Sequence, residues 1–194
     1  SMILGLGLGV GAGMMKMYGN RALRWIAEFY IWLFRGTPVL IQLIIIYTGL
    51  PQLGIRLSVI ESAIIGLALN EGAYLAEVIR SGIMSVDKGQ TDASRAVGMT
   101  WRQRMWMVIL PQATRTIIPP LGNQFNGMLK TTSLASVISM EELMRNAQML
   151  AQIEFRVLEA YTVAAVWYLV LVSIWGQIQV RIEAHYEKPF GPAA

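Results

Sequence analysis

Apolar runs separated by short polar clusters organise this chain. Residues 2–15 carry no charge, and glycine recurs at 5, 7, 9, 11 and 13. Gly5/Gly9 and Gly9/Gly13 have the small-xxx-small spacing that lets membrane helices approach closely, so a first span is predicted over 2–17. Lys16, Arg21 and Arg24 follow at once. Residues 21–34 mix arginines with Trp25, Phe29, Tyr30, Trp32 and Phe34, which fits an interfacial helix leading into the next span or a plain continuation of it. Arg35-Gly36-Thr37-Pro38 should kink or restart that helix, because proline lacks an amide donor and restricts the residue before it. Residues 36–55 are uncharged and predict span two, with a turn at Leu50-Pro51-Gln52-Leu53-Gly54. Span three is predicted over 57–83, although it holds Glu61, Asn70, Glu71, Glu77 and Arg80. Span four, over 105–130, is expected to be broken by Pro111, Pro119 and Pro120. A short helix is expected from Met140 to Ala151, and span five over 157–180.

Between spans three and four lies a polar, basic island from Asp87 to Pro111. Asp87 with Gln90 reads as a capping box that starts a short helix. Gly98 should stop it, since glycine takes the left-handed conformation at a helix end without steric cost. Thr100 with Gln103 is a second capping box. The prediction is a helix-turn-helix over 85–104, lying outside the membrane.

Composition supports an all-α integral membrane protein of one domain. The chain is 55% hydrophobic and 14% charged, where soluble domains carry about a quarter charged residues. Its mean hydropathy is +0.48. There is no cysteine, which excludes disulfide and thiolate chemistry. The net charge of +4 would also suit nucleic acid, but the location of the cations explains it better. With five spans, Lys16, Arg21, Arg24, Arg80, Lys88, Arg95, Arg102, Arg104, Arg181 and Lys188 fall on one side, against Arg56, Arg145 and Arg156 on the other. That bias puts the N-terminus outside and the C-terminus in the cytoplasm, and no nucleic-acid partner is expected.

Enzyme signatures are missing. No G-x-x-x-x-G-K-[ST], H-E-x-x-H or G-x-S-x-G occurs, and the one histidine, His185, falls in a polar tail. The island instead resembles the EAA loop of bacterial ABC-importer permeases. Asp92-Ala93-Ser94, three residues, Gly98, nine residues, then Val108-Ile109-Leu110-Pro111 keeps that motif's spacing, with Asp for Glu, Ser for the second Ala and Val for Ile. Arg35-Gly36-Thr37-Pro38, Tyr47-x-Gly49-Leu50-Pro51, Ala73-Tyr74-x-Ala76-Glu77-x-x-Arg80, Leu110-Pro111-Gln112-Ala113-x-Arg115 and Lys130-x-Thr132-Ser133-Leu134 are similar to the polar amino-acid subfamily. Thr131 departs from it, where many members carry an acidic residue.

The resemblance implies the five-span type I permease fold with a cytoplasmic coupling helix-turn-helix in the bacterial inner membrane. It implies a second permease chain, the same or homologous, two cytoplasmic ABC ATPase subunits and an extracytoplasmic substrate-binding protein, all around membrane lipid. ATP and magnesium would be bound by the ATPase, leaving this chain without a cofactor, a metal or a catalytic residue. Asp92, Ala93, Ser94, Arg95, Gly98 and Met99 would carry the ATPase coupling. The chain would move polar amino acids by alternating access.

Charged groups inside spans are the second signal, since burial near the bilayer centre costs roughly several kcal/mol unless they face the protein interior or water. Asn70, Glu71 and Tyr74 share one helical face and are candidates for the substrate path. Glu71 suits an ammonium group or a cationic side chain, or pairs with Arg115 between helices. Arg115 and Lys130 could meet a substrate carboxylate. Glu77 with Arg80 reads as a structural i, i+3 pair, and Asn123 and Asn126 as hydrogen bonds between helices. Alternative functions are the same architecture with another small solute (an osmolyte, methionine or a peptide), or an ATP-independent channel or carrier.

Overall fold

The computed structural model describes residues 1–187, and Lys188 lies outside them. All regular structure among the described residues is helical: α1 (Met2–Tyr18), α2 (Arg21–Gly36), α3 (Val39–Ile44), α4 (Val59–Met84), α5 (Lys88–Ala96), α6 (Trp101–Arg104), α7 (Leu110–Thr131), α8 (Leu143–Glu154) and α9 (Val157–Glu187). By length and composition α4 and α9 can each cross a membrane, and α2 passes the same test jointly with the segment Val39–Leu53.

The α1–α4 pair is the most extensive helix contact. A Cβ on Gly9 would lie 2.7 Å from the Leu75 Cβ, and one on Gly13 would lie 3.1 Å from the Ala76 carbonyl oxygen. Gly7 and Gly11 meet nothing within 4 Å. The glycines at four-residue spacing therefore bring two backbones together, while the alternate ones lie on the outer side. At the end of this seam, Lys16 Nζ meets Glu77 Oε1 at 2.5 Å, and Glu77 Oε2 accepts from Arg80 Nε at 2.8 Å. The Glu77–Arg80 pair is as expected, and Lys16 ties it to α1.

Residues 21–34 lie in a helix of their own, which passes the span test jointly with the segment that follows it. Asn20 caps α2, and α2 is bent by 105° from the segment after Thr37-Pro38. That segment starts at Val39, passes through a π-helical stretch (Ile45–Gly49) and ends in a 3₁₀ turn (Leu50–Leu53), inside the predicted 36–55. The bend removes helical partners from Phe34 and Thr37, and side chains replace them. Gln42 Nε2 donates to the Phe34 carbonyl (3.0 Å), the Thr37 carbonyl (3.1 Å) and Thr37 Oγ1 (2.8 Å). Asn70 Nδ2 on α4 donates to the Phe34 carbonyl at 3.0 Å and to Gln42 Oε1 at 3.1 Å.

The predicted break of span four does not occur. α6 continues through a π-helical stretch (Met105–Ile109) into α7, which runs unbroken past Pro119 and Pro120. Pro111 follows directly on the π-helical stretch, which shifts the backbone bonding before it, and packing against α4 and α9 carries the helix past the other two. α8 starts at Leu143 rather than Met140 because the Glu142 carboxylate caps the amides of Met144 and Arg145. α9 outruns the predicted end at 180.

Gln42→Leu strips the bend of its main donor and leaves the Thr37 carbonyl unsatisfied, which costs about 1–3 kcal/mol. The expected outcome is a lowered thermal unfolding midpoint of the solubilised protein, followed by tryptophan fluorescence. An unchanged midpoint would show that the bend holds without this amide.

Candidate functional site

A polar cavity of ≈ 280 Å³ opens where the bend, α4 and α7 meet. Thr37 and Pro38 form one wall, Asn70, Glu71 and Tyr74 a second, and Gln124 and Thr131 a third. Its size is near the roughly 300 Å³ lower end of small-molecule clefts. The predicted face of α4 is therefore brought together, and the structure separates its three residues by role. Asn70 directs its amide at the bend, so it holds the wall. Tyr74 is 36% exposed, with the Arg35 guanidinium carbon 5.2 Å from its ring centroid. Glu71 is 8% exposed and forms no ion pair among the described residues, and its Oε1 is buried without a hydrogen-bond partner.

The alternative pairing of Glu71 with Arg115 is not formed. Arg115 is half-buried on α7 and does not line this cavity. Lys130 is exposed and lines a different groove with Ser133 and Tyr168. Neither cation lines the Glu71 cavity. Gln179 of α9 donates to Asn123 of α7 at 3.2 Å, the expected bond between helices, whereas Asn126 Oδ1 is buried and unpartnered. Sequence reasoning missed Thr37, Gln42, Gln124 and Thr131. The signal available for Gln42 was an amide placed four residues after Pro38 in an uncharged run.

The polar island folds as helix, turn, helix. Gly98 has φ +78°, and the amides of Gly98 and Met99 donate to the carbonyls of Arg95 (2.9 Å) and Ser94 (3.1 Å), a Schellman closure. Thr100 and Gln103 form the predicted capping box. The other predicted box is absent: the Asp87 carboxylate accepts from the Gly89 amide at 2.7 Å, and the Gln90 amide goes to the Asp87 carbonyl. The Asp87 carboxylate closes on the second amide of the helix as an Asx turn, and the Gln90 side chain makes no reciprocal bond. Asp92, Ala93, Arg95 and Gly98 face outward, with Asp92 Oδ1 3.5 Å from Arg95 Nη1. Ser94 is buried and donates to the Thr91 carbonyl, and Met99 is half-buried, so these two brace the loop from inside. Val97, 77% exposed at the turn, completes the outer face and was not singled out from sequence.

Among the described residues, no group of three or more His, Cys, Asp or Glu is placed to hold a metal ion. A polar cavity among apolar helices is joined through one helical stretch to the closed loop. The chain belongs to the family of binding-protein-dependent transport system inner membrane components, which it matches over residues 5–187.

Among its relatives is the arginine transport system permease protein ArgU of Corynebacterium glutamicum, 43% identical over 203 residues, covering 97% of this chain and 64% of that protein. Another is the L-cystine transport system permease protein TcyB of Bacillus subtilis, 40% identical over 189 residues, covering 97% of this chain and 81% of that one. This chain thus spans less than two thirds of the length of ArgU. A crystallised amino acid ABC transporter with histidines superposes with a TM-score of 0.89 at 38% identity, over 95% of this chain and 86% of that one. The inward-facing methionine transporter MetNI shares the fold, with a TM-score of 0.81 at 18% identity over 96% of this chain and 89% of that one. The fold is that of the type I ABC-importer permeases.

Glu71→Met keeps the stem that packs near Gly5 and removes the unpartnered carboxylate. The expected result is a higher unfolding midpoint without substrate, because burying an unpaired polar group destabilises the fold. A fall of several degrees would show that Glu71 holds the fold through a partner.

Proposed function

We propose that this chain is the five-span transmembrane subunit of an ATP-driven importer of polar amino acids. α1, α2 with α3, α4, α7 and α9 cross the membrane, with the N-terminus outside and the C-terminus in the cytoplasm. The observation that carries this reading is that one continuous helical stretch, Trp101 to Thr131, joins the capped loop at Gly98 to the wall of the Glu71 cavity. The arginine and cystine relatives support the substrate class, and Glu71 supports the recognition of an ammonium or guanidinium group.

The assembly holds a second permease chain, two ATPases that bind ATP and magnesium, and an extracytoplasmic binding protein. Asp92, Ala93, Arg95, Val97 and Gly98 form the face that docks on the ATPase. Closure of the ATPase dimer moves α5 and α6, and α7 carries that motion to the cavity. No covalent step falls to this chain.

The test is uptake of labelled arginine, glutamine and cystine by proteoliposomes holding the whole assembly, with ATP inside. Uptake of at least one is expected with ATP and none without it. Glu71→Gln should weaken uptake of a cationic substrate about tenfold, the loss of one charge-assisted contact. ATP-independent flux, or unchanged uptake in Glu71→Gln, would contradict the reading. Gly98→Val, strained at positive φ, should uncouple hydrolysis from uptake, while Gly98→Asn, which tolerates that conformation, should keep most of it.

A further inference from the structure

A second, larger cavity lies where the loop meets the ends of α1, α2 and α4, with a volume of ≈ 670 Å³. Five cations line it: Lys16, Arg24, Arg80, Arg95 and Arg104. Glu77 pairs with both Lys16 and Arg80, leaving one net positive charge there, and Asp92 lies beside Arg95. Glu28 is the one carboxylate in the wall itself. Arg24 and Arg104 have no ion-pair partner among the described residues. Arg104 is only 9% exposed and its side chain makes no hydrogen bond among the described residues, yet none of its nitrogens is fully enclosed, so the guanidinium opens onto the cavity. Cations crowded around one cavity repel one another, and an anion bound among them relieves that repulsion.

We propose that this cavity binds the phosphate of an anionic phospholipid from the cytoplasmic leaflet, and so ties the loop to the spans. The inference rests on the reading above that the loop is cytoplasmic. Guanidinium groups match phosphate oxygens in pairs, and basic pockets between helices on this side of a membrane suit anionic headgroups. The surroundings favour a lipid over a soluble anion. Tyr18 and Trp101, both in the wall, meet edge to face with centroids 5.4 Å apart. Trp25, next to Arg24, is 65% exposed and stacks on Phe29 at 5.7 Å, with Trp32 continuing the ladder at 5.9 Å. Trp106 and Met107 are also exposed beyond Arg104. A headgroup among the arginines thus has apolar and aromatic surface beside it for its acyl chains. The bound phosphate bridges Arg24 of α2 to Arg104 of α6, contacts the chain alone does not make.

The test uses the whole assembly purified gently from native membranes, with lipid retention read by native mass spectrometry. It is repeated after exchange into phosphatidylcholine nanodiscs with and without phosphatidylglycerol. Wild type should retain phosphatidylglycerol in preference to phosphatidylcholine. Arg104→Gln and Arg24→Gln should each weaken that retention about tenfold, while Arg21→Gln, outside the cavity, should not. If Arg104→Gln fails to assemble, Arg24→Gln on the exposed helix face carries the test. Equal retention of both lipids, retention unchanged in both variants, displacement by inorganic phosphate, or an ATPase carboxylate filling the cavity would each overturn the proposal. An ATPase that co-purifies without lipid selectivity sinks this inference alone; absence of any ATPase sinks the coupling reading and this inference with it.

Discussion

A bent helix among apolar neighbours leaves backbone carbonyls without partners where water cannot supply them, and this constraint shapes the upper half of the molecule. The chain bends by 105° after Gly36, and Gln42 and Asn70 answer the carbonyls of Phe34 and Thr37. Both amides come from segments that must lie beside the bend, so the same bonds fix α3 against α4. The core of Leu43, Ala63, Leu67 and Met128 then closes behind them. What remains in front is the cavity, whose walls are the bend, α4 and α7. Its position follows from satisfying the backbone, and its chemistry from Glu71.

The lower half is held differently. Glycines let α1 lie close on α4, and the Lys16–Glu77–Arg80 cluster pins the seam at its end. A second core, Ile79, Ile83, Met105, Ile109 and Ala113, joins α4 to the π-helical stretch and to α7. The loop closes on its own backbone through Gly98 and Thr100. Its one continuous connection upward is the helix through Met105 into α7. A body of this kind can pass displacement from loop to cavity without melting either end.

Much of this was readable from the chain. The helix-turn-helix came from the Gly98 stop and the Thr100–Gln103 box, both local rules, and both are present. The glycine register on α1 and the face of Asn70, Glu71 and Tyr74 followed from helical spacing. The errors share a cause. Pro119 and Pro120 were read by local rule as breaks, but packing from α4 and α9 carries α7 past them. That Arg115 and Lys130 lie outside the Glu71 cavity could not be read from their charge, which says nothing about which side of α7 a residue occupies. The role of Gln42, and the diversion of Asn70 to the bend, depend on a contact between residues 28 apart, which no local pattern contains.

The central claim is that the Gly98 turn is the point of contact with a separate ATPase. The chain has no cysteine, so Val97→Cys, on the most exposed apolar residue of the turn, gives a single reactive site. A short bifunctional cross-linker applied to native membranes should join it to one partner, a P-loop ATPase, with a yield that changes when ATP is added. Cross-linking only to lipid or to another copy of this chain, with uptake intact, would contradict the account.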